Sequence, residues 1–470
     1  MRRRTFIKKT GAAALTPMLT GMANAAPLPN VVLIMADDLG YGDLHCYGSR
    51  NQTPNLDRMA EEGVQFRQFY SANPVCSPSR ASVLTGRYGV RCNVPTVFFS
   101  TDTGGMATTE VTIAQMLKPA GYNTMCVGKW HLGRPAQYLP TARGFDEYYG
   151  IPYSNDMAPS ILMHNTAVIE SPVDLATLTK RYTAQAVNFI NRSRNTPFFL
   201  YMPHTFPHIP LAASTDFVEK SGMGLYGDVV QEVDWSVGQV LQALADNGVD
   251  QNTLVMFISD HGPWYQGSPG GLRGRKGDTF EGGMRVPFIA RFPGRIPVNS
   301  THRELGRKGR IVNVMASSLD LLPTIAGLTQ TTLPVNPLDG VDIGTVLTGQ
   351  VSDVARPLFL YFSNWNLQCA RQGPWKLHMA RANVPAYTAE PKVGYSNLRL
   401  LNPELYNVDV DPDESADIAA QNPGIVAAIQ QKVAQMLPSF PGEVQSAWRD
   451  TQNRPVYPNV SGAYPTPILP

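Results

Sequence analysis

The chain has few cysteines, little excess charge and no long apolar segment, and each shortage excludes a class of protein. Five cysteines in 470 residues are too few for a disulfide-dense scaffold, and their odd number leaves at least one unpaired. A net charge of +2 provides no strongly basic surface of the kind that binds nucleic acid. No segment has the roughly 20 consecutive apolar residues of a membrane span. We therefore expect neither nucleic-acid binding nor membrane insertion.

Residues 1–25 have the composition of an export signal. The basic head, from Arg2 to Lys9, contains the arginine pair Arg3-Arg4, a short apolar middle contains Pro17, and Ala23–Ala25 resembles a cleavage site. The letters FIK after the arginine pair favour the twin-arginine route over a basic signal for the general secretory route. The segment carries five basic and no acidic residues, so its removal changes the net charge from +2 to −3. We expect a bacterial protein that is exported to the periplasm or secreted.

The segment 26–350 alternates between strand-like and helix-like patterns. Continuous apolar runs at 30–36, 123–127, 197–202 and 254–259 are typical of strands buried on both faces of a parallel sheet. Helical patterns lie between them at 55–63, 110–119, 180–194 and 228–247. This alternation predicts an α/β catalytic domain with a large, mainly parallel sheet sandwiched by helices.

The pattern changes after a loop-rich stretch that ends near residue 350. Strand-like runs at 358–362 and 374–380 precede a helical pattern at 414–437. We expect residues 351–470 to form a smaller α+β subdomain with an antiparallel sheet. From Ser439 the chain is rich in proline, and we expect this tail to wrap around the surface.

Polar residues follow directly after the four apolar runs of the first domain. They are Asp37 and Asp38, Lys129 and His131, His204 and His208, and Asp260 and His261. Ligands of open α/β sheets bind outside the carboxyl ends of the strands, so these side chains are predicted to meet in one crevice. Lys129 and His131 alternate around Trp130 and would point the same way on an extended segment.

Adjacent carboxylates at the end of a buried strand imply a cation. Asp37 and Asp38 repel each other and are costly to remove from water. Together with Asp260 they favour Ca²⁺ or Mg²⁺, whereas the imidazole of His261 admits Zn²⁺ or Mn²⁺ more readily.

Cys76 opens a short helical pattern at 76–86. Ser77 suits the helix cap, Pro78 the first helical position and Gly86 the stop. Arg80 lies about one turn further on, so an anion near residue 76 would meet N–H groups, the helix dipole and a guanidinium. On the residues alone, a low-pKa catalytic thiol and a structural cysteine both remain open.

Several segments resemble one enzyme family. The letters CSPSRASVLTGR (76–87) resemble the signature of type I, formylglycine-dependent sulfatases of the arylsulfatase A-like group, within the alkaline phosphatase superfamily. The segments ADDLGYGD (36–43), GKWHLG (128–133), GRKGDTFEGGMRVP (274–287) and LYNVDVDPDE (405–414) are similar to further blocks of that family, in its order. The resemblance covers nearly the whole chain after the export signal and implies an alkaline phosphatase-like fold.

The resemblance implies hydrolysis of sulfate monoesters with a modified residue and a metal. Cys76 would be oxidised to formylglycine by a formylglycine-generating enzyme or an anaerobic sulfatase-maturing enzyme. The resemblance also implies one divalent cation held by Asp37, Asp38, residue 76, Asp260 and His261. Calcium is favoured over Mg²⁺, Mn²⁺ and Zn²⁺, although His261 stands where many members of the family have asparagine.

The resemblance also assigns roles to individual side chains. The implied catalytic set is Cys76, Arg80, Lys129, His131, His208, Asp260 and Lys276. In it, His208 protonates the leaving oxygen, His131 removes a proton from the second hydroxyl of the formylglycine hydrate, and Lys129 and Lys276 contact the sulfate. Ser154 is either a further sulfate contact or a simple turn residue. His204 is either part of the pocket wall or a core residue.

The substrate is less closely defined by the sequence. The resemblance implies a sulfated sugar or oligosaccharide, with the segments 96–105, 148–165, 261–275 and 363–371 as candidates for the rim of the site. Two other functions remain open: a phosphate or phosphonate esterase of the same superfamily, and a carbohydrate-binding relative without catalysis.

Overall fold

The computed structural model describes residues 27–298, 309–382 and 397–454, so the expected export signal and the end of the proline-rich tail lie outside the described residues. The strands are β1 Asn30–Ala36, β2 Val64–Tyr70, β3 Asn123–Val127, β4 Glu147–Gly150, β5 Leu162–His164, β6 Ala167–Glu170, β7 Phe198–Pro203, β8 Thr253–Ser259, β9 Arg285–Arg291, β10 Arg310–Ser317, β11 Phe359–Ser363, β12 Asn366–Gln372, β13 Trp375–Ala382 and β14 Asn397–Asn407. The α-helices are α1 Pro54–Glu61, α2 Cys76–Thr85, α3 Ile113–Leu117, α4 Leu178–Ser193, α5 Gly224–Asp246, α6 Glu281–Met284, α7 Leu321–Thr329, α8 Gly344–Leu347, α9 Pro423–Met436 and α10 Gly442–Asn453.

Ten of these strands form one mixed sheet with the order β10-β2-β9-β8-β1-β7-β3-β4-β5-β6. The central pairs β8-β1, β1-β7, β7-β3 and β3-β4 are parallel, and β9 and β5 pair in the antiparallel sense. The predicted mainly parallel sheet is therefore confirmed, with antiparallel pairs towards its edges.

Helices cover both faces of the large sheet, as the alternating pattern predicts. Val31, Leu33 and Met35 of β1 face a core that includes side chains of α2, α3 and α7. Val32 and Ile34 face the opposite core, which includes side chains of α1, α4 and α5. Because successive side chains of a strand point to opposite faces, both faces of β1 must be apolar, and this explains its uninterrupted apolar sequence.

The C-terminal part forms an antiparallel sheet in the order β11-β12-β13-β14, as predicted. A third apolar cluster joins this sheet to α9 and α10 and to residues of the first domain such as Tyr70 and Met284. The expectation that the chain after Ser439 wraps the surface as a tail is wrong for the part that the structure describes. That part contains α10, in which Val444 is buried and the Thr451 hydroxyl accepts a hydrogen bond from the side-chain amide of Asn397. The domain boundary at residues 350–351 stays a prediction.

In the described ranges, no helix combines the length and the apolar character that crossing a membrane requires.

Four neighbouring strands end at the polar residues singled out in the sequence. They lie in the order β8-β1-β7-β3 and are all parallel, so their carboxyl ends share one edge of the sheet. Backbone contacts between these ends are very close. A Cβ atom on Gly128 would lie 1.8 Å from the carbonyl oxygen of Pro203, and one on Gly150 would lie 1.8 Å from the carbonyl oxygen of Gly128.

We expect the Gly128→Ala substitution to destabilise the fold strongly. Gly121→Ala is the matched control, because both glycines have a positive φ but nothing lies within 4 Å of a Cβ on Gly121. In the control, the left-handed backbone alone should lower the free energy of unfolding by about 1–2 kcal/mol. In Gly128→Ala, steric overlap should lower it by about 1–3 kcal/mol more. Denaturant unfolding measures both values, and equal losses would contradict the close contact.

Candidate active site

The carboxyl ends of β1 and β8 place three carboxylates and an imidazole side by side. Asp37 and Asp38 follow β1, Asp260 and His261 follow β8, and none of them is more than 1% exposed. The Nε2 atom of His261 lies 3.4 Å from Oδ1 of Asp38 and 3.6 Å from Oδ1 of Asp260. Carboxylates this deeply buried need positive charges close by, because water cannot solvate them.

Cys76 reaches this cluster from the first position of α2, a helix in which every residue is buried. Its Sγ atom lies 3.3 Å from Nε2 of His261 and 3.7 Å from Oδ1 of Asp37. The prediction that Ser77 caps the helix is wrong, since Val75 precedes the first helical residue. The Ser77 hydroxyl instead accepts a hydrogen bond from the backbone N–H of Phe98. Residue 76 therefore lies at the positive end of the helix, against the carboxylates.

Arg80 joins α2 to two of the carboxylates. Its Nη2 atom lies 3.1 Å from Oδ2 of Asp260 and 3.3 Å from Oδ2 of Asp37, and Nη1 donates to the carbonyl of Lys129 at 2.7 Å. Burial alone would lower the pKa of Arg80, but the charges of Asp37 and Asp260 more than offset this and raise it. The guanidinium is thus a permanent positive charge inside the site.

Two lysines supply further positive charges. The Nζ atom of Lys129 lies 2.5 Å from Oδ2 of Asp37, 3.0 Å from the Ser154 hydroxyl and 3.7 Å from Sγ of Cys76. The Nζ atom of Lys276 lies 2.8 Å and 2.9 Å from the two carboxylate oxygens of Asp38. Arg80 and these two lysines therefore bring three cations to three carboxylates.

The charges around residue 76 favour an anion there. Burial raises the pKa of the Cys76 thiol, but Lys129 and Lys276 lower it by more, to about 6. Burial also raises the pKa of Asp37, but Lys129 and Arg80 more than offset this and hold it well below its ordinary value. For Asp38 burial prevails over the charge of Lys276, and the pKa rises to about 7.

The donor set fits one divalent cation. One ligand atom from each of Asp37, Asp38, Cys76 and His261 lies within 4.8 Å of the other three. The Nδ1–H group of His261 donates to the carbonyl of Gly262 at 2.9 Å, which leaves Nε2 facing the cluster, as is usual for a metal-binding histidine. Asp260, the fifth expected ligand, lies beside this group, and its Oδ1 atom accepts the N–H groups of Asp38 and His261.

Ser154 and His208 lie close to each other, and Ser154 is next to Lys129. The Nε2 atom of His208 lies 3.5 Å from the Ser154 hydroxyl and 3.9 Å from Oδ2 of Asp38. Ser154 also begins a turn, because its carbonyl accepts the N–H of Met157. Both interpretations of Ser154 from the sequence therefore describe part of its structure.

His131 follows Lys129 by two residues, and its backbone does not take the extended path that was expected. Its φ of 61° is left-handed, so the expectation of an extended Lys129–His131 segment is wrong. The N–H groups of Trp130 and His131 bond to the carbonyls of Ile151 and Pro152, which holds this bend. The Nε2–H group of His131 donates to the carbonyl of Phe98 at 2.8 Å, and Nδ1 has no hydrogen-bond partner in the described residues.

His204 has the surroundings of a core residue. It is fully buried, its ring lies 6.5 Å from that of Tyr182, and neither ring nitrogen has a hydrogen-bond partner within the described ranges. Burial lowers its pKa to about 4, so the ring is neutral at neutral pH. These surroundings favour the core interpretation over that of a pocket wall.

Ser79 and Asn155 support the site but were not recognised from the sequence. The hydroxyl of Ser79, in the CSPSR segment, donates to the carbonyl of Asp260 and so joins α2 to the end of β8. The amide of Asn155 donates to the carbonyls of His208 and Pro210. Their polar side chains next to site residues were the available signal, but only the fold shows their partners.

Comparison with known proteins identifies the family of this chain. The family model described as Sulfatase matches residues 29–331, and that of the C-terminal region of aryl-sulfatase matches residues 354–466. The chain belongs to the sulfatase family. Human arylsulfatase A is 36% identical over 466 residues, which cover 89% of each chain.

Two further proteins are similar to this chain. The dog N-acetylgalactosamine-6-sulfatase is 40% identical over 396 residues, which cover 76% of this chain and 73% of that protein. The crystal structure of Ps i-CgsB in complex with k-i-k-neocarrahexaose matches with a TM-score of 0.73 at 28% identity, over 90% of this chain and 98% of that chain. The resemblance noted in the sequence is confirmed, and the protein is a sulfuric ester hydrolase of the arylsulfatase type.

We expect the wild-type protein to bind one divalent cation at the cluster of Asp37, Asp38, residue 76 and His261. Calcium at 100 times its Kd should stabilise the fold by about 2.7 kcal/mol. Asp38→Ala should abolish binding, because it removes a carboxylate ligand. Asp156→Asn is the control, as this exposed residue lies outside the cluster. Calorimetric titration measures the stoichiometry, and unchanged binding by Asp38→Ala would place the cation elsewhere.

Proposed function

We propose that the protein hydrolyses sulfate monoesters of carbohydrates through a formylglycine made from Cys76, with one divalent cation, calcium by preference. The observation that carries this proposal is the position of Cys76. Within the CSPSR segment it opens a buried helix and lies against Asp37, Lys129 and His261. Asp37, Asp38, residue 76 and His261 would hold the cation, with Asp260 beside them.

The modified residue and the cation would supply the nucleophile. A hydrated aldehyde has two hydroxyl groups, of which one attacks sulfur while the other allows the aldehyde to form again, and a divalent cation lowers the pKa of such a hydroxyl. Arg80 would hold Asp37 and Asp260 in place beside residue 76.

Lys129, Lys276 and Ser154 would bind the sulfate group. The two ammonium groups and the hydroxyl lie around residue 76 and can donate hydrogen bonds to the non-bridging oxygens. These contacts place the sulfur next to residue 76. They also stabilise the charge on the oxygens as the ester bond breaks.

His208 would protonate the leaving oxygen. Its Nδ1–H group is directed to the carbonyl of Ile209, so Nε2 is the atom that can take up and transfer a proton. Burial and the charges of Lys276 and Lys129 lower the pKa of His208 well below its ordinary value. A bound sulfate ester carries a negative charge that opposes the effect of both lysines, so binding of the substrate raises this pKa towards that of an acid catalyst.

His131 is suited to accept a proton. Its Nε2–H group is used by the Phe98 carbonyl, and burial together with the charges of Lys129 and Arg80 lowers its pKa well below the ordinary value. The ring is therefore neutral and has a lone pair on Nδ1. This is the atom that we assign as the base for the second hydroxyl of residue 76.

Two relatives support a carbohydrate substrate. One is named as an N-acetylgalactosamine-6-sulfatase, and another was crystallised with a neocarrahexaose. An exposed aromatic side chain also lies close to the site. Phe99 is 57% exposed, and the preceding residue, Phe98, is held by Ser77 and His131. An aromatic ring in this position offers a flat apolar face to a sugar.

We also propose that the protein is exported in bacteria, to the periplasm or beyond, by the twin-arginine route. The arginine pair and the small residues before Ala26 support this proposal. Conversion of Cys76 would require a formylglycine-generating or anaerobic sulfatase-maturing enzyme in the same cell.

Cys76→Ala should abolish turnover of 4-nitrophenyl sulfate, because the substitution removes the precursor of the nucleophile. Cys126→Ala is the control: Cys126 is also buried but lies within β3, and this variant should keep its activity. Both proteins should be co-expressed with a maturing enzyme. In Cys126→Ala, which keeps Cys76, the peptide that contains residue 76 should show the mass of an aldehyde in place of a thiol. Undiminished turnover by Cys76→Ala would refute the proposed nucleophile.

The wild-type enzyme should hydrolyse 4-nitrophenyl sulfate faster than 4-nitrophenyl phosphate. The extra negative charge of the phosphate ester would lie close to the buried carboxylates of Asp37 and Asp38. Rates for both esters on one preparation decide the question. Faster phosphate turnover would favour the phosphate or phosphonate esterase over the sulfatase activity.

Phe99→Ala should raise the KM for a sulfated oligosaccharide several-fold while leaving kcat/KM for 4-nitrophenyl sulfate unchanged, because only the larger substrate reaches the rim. Leu401→Ala removes a similarly exposed apolar side chain in the C-terminal sheet and serves as the control. Equal kinetics of Phe99→Ala and the wild type on the oligosaccharide would exclude Phe99 from the sugar site.

A further inference from the structure

The segment LYNVDVDPDE (405–414) ends in a buried acid that has no part in the chemistry described so far. Glu414 is fully buried, although it lies in a loop between β14 and α9. Its φ of 52° is left-handed, which is unfavourable for a residue with a side chain. The surrounding contacts must therefore hold Glu414 in this conformation.

Glu414 holds both ends of one segment of the first domain. One carboxylate oxygen, Oε2, accepts the backbone N–H of Glu281 at 2.6 Å. The backbone carbonyl of Glu414 accepts a hydrogen bond from Nη1 of Arg273 at 3.0 Å. The ends also contact each other, because the N–H of Gly282 donates to the carbonyl of Arg273 at 2.6 Å.

Lys276 lies inside the segment that Glu414 closes. Its N–H donates to the carbonyl of Pro263 at 3.0 Å, and the N–H of Gly277 donates to the carbonyl of Pro74, two residues before Cys76, at 2.9 Å. The Thr279 hydroxyl donates to Gln368 of β12 at 2.8 Å. The loop 273–281 is thus fixed on one side by the site and on the other by the C-terminal sheet.

The other carboxylate oxygen of Glu414 takes part in a buried network of charges. It lies 3.0 Å from Nζ of Lys376 and 2.6 Å from Nε2 of His378, and Lys376 also pairs with Glu281 at 3.0 Å. Removing the charge of Glu414 would take from Lys376 one of its two carboxylate partners and from His378 the carboxylate that it contacts. Such an imbalance in a buried site shifts the groups that surround it.

We infer that Glu414 is a positioning residue for Lys276: from the C-terminal subdomain it fixes the loop 273–281 and so directs the Lys276 ammonium towards Asp38 and the sulfate. The inference rests on the proposed function in so far as Lys276 contacts sulfate. It gives the C-terminal subdomain a part in the reaction that is carried out in the first domain. No atom of Glu414 needs to touch the substrate for this role.

The test is a double-mutant cycle with Glu414→Gln and Lys276→Ala, measured as kcat/KM for 4-nitrophenyl sulfate. Glutamine keeps an acceptor for the Glu281 N–H but loses the charge. We expect Glu414→Gln to lower kcat/KM by about 10–100-fold, as for other residues that orient a functional group, and to have little further effect in the Lys276→Ala background. An equal loss in both backgrounds would overturn the inference, since a general structural role does not depend on Lys276.

Affinity for inorganic sulfate provides a readout that does not depend on turnover. Calorimetry on protein with unmodified Cys76 should show that Glu414→Gln weakens sulfate binding only when Lys276 is present. A wild-type enzyme without sulfatase activity would refute the proposed function, whereas the sulfate cycle would still decide the role of Glu414. Sulfate affinity that is unchanged in Glu414→Gln would count against positioning.

A control and a second variant complete the experiment. Asp417→Asn alters an exposed acid of the same loop that bonds only to N–H groups of Leu405 and Ala419 among the contacts described, and it should leave both readouts unchanged. Thermal unfolding shows whether each variant is folded. If Glu414→Gln does not fold, Arg273→Ala removes the other link of Glu414 to the loop, and the same cycle with Lys276→Ala decides by the same criterion.

Discussion

Three aspartate side chains removed from water at the ends of β1 and β8 are the constraint on which the rest of the site depends. The idealised cost of burying one such ion is about 20 kcal/mol, so Asp37, Asp38 and Asp260 require charges of opposite sign at contact distance. Arg80 and Lys129 come from α2 and from the end of β3, and Lys276 comes from a distant loop. The carboxylates can therefore be buried in their charged form only when these separate segments have come together.

The central strands could be predicted from the sequence because their pattern is local. Strands buried on both faces must be apolar throughout, and the runs that became β1 and β3 have the predicted bounds. Strands such as β12 and β14 were missed because they contain many polar residues. Gln368 and Arg371 of β12 are buried, but their partners, Thr279 and Tyr70, lie about 90 and 300 residues away along the chain.

The convergence of the site was also predictable, since parallel strands place their carboxyl ends at one edge. The orientation of single side chains was not. Whether His131 follows an extended path depends on carbonyls at Ile151 and Pro152, and the cap of α2 depends on the bond that Phe98 makes with Ser77. Such partners belong to other segments, and no local pattern reveals them. The core surroundings of His204 likewise depend on the distant Tyr182.

The close approach of Gly128, Gly150 and Pro203 limits how this architecture can change. Their backbones are already in contact, so no side chain can be added at these strand ends without moving the strands and the charges attached to them. Gly128 and Gly150, which lie next to the site, therefore do not tolerate a larger residue. New substrate preferences would have to arise in the surrounding loops, such as the turn that exposes Phe99, where residues can be exchanged without disturbing the charge balance.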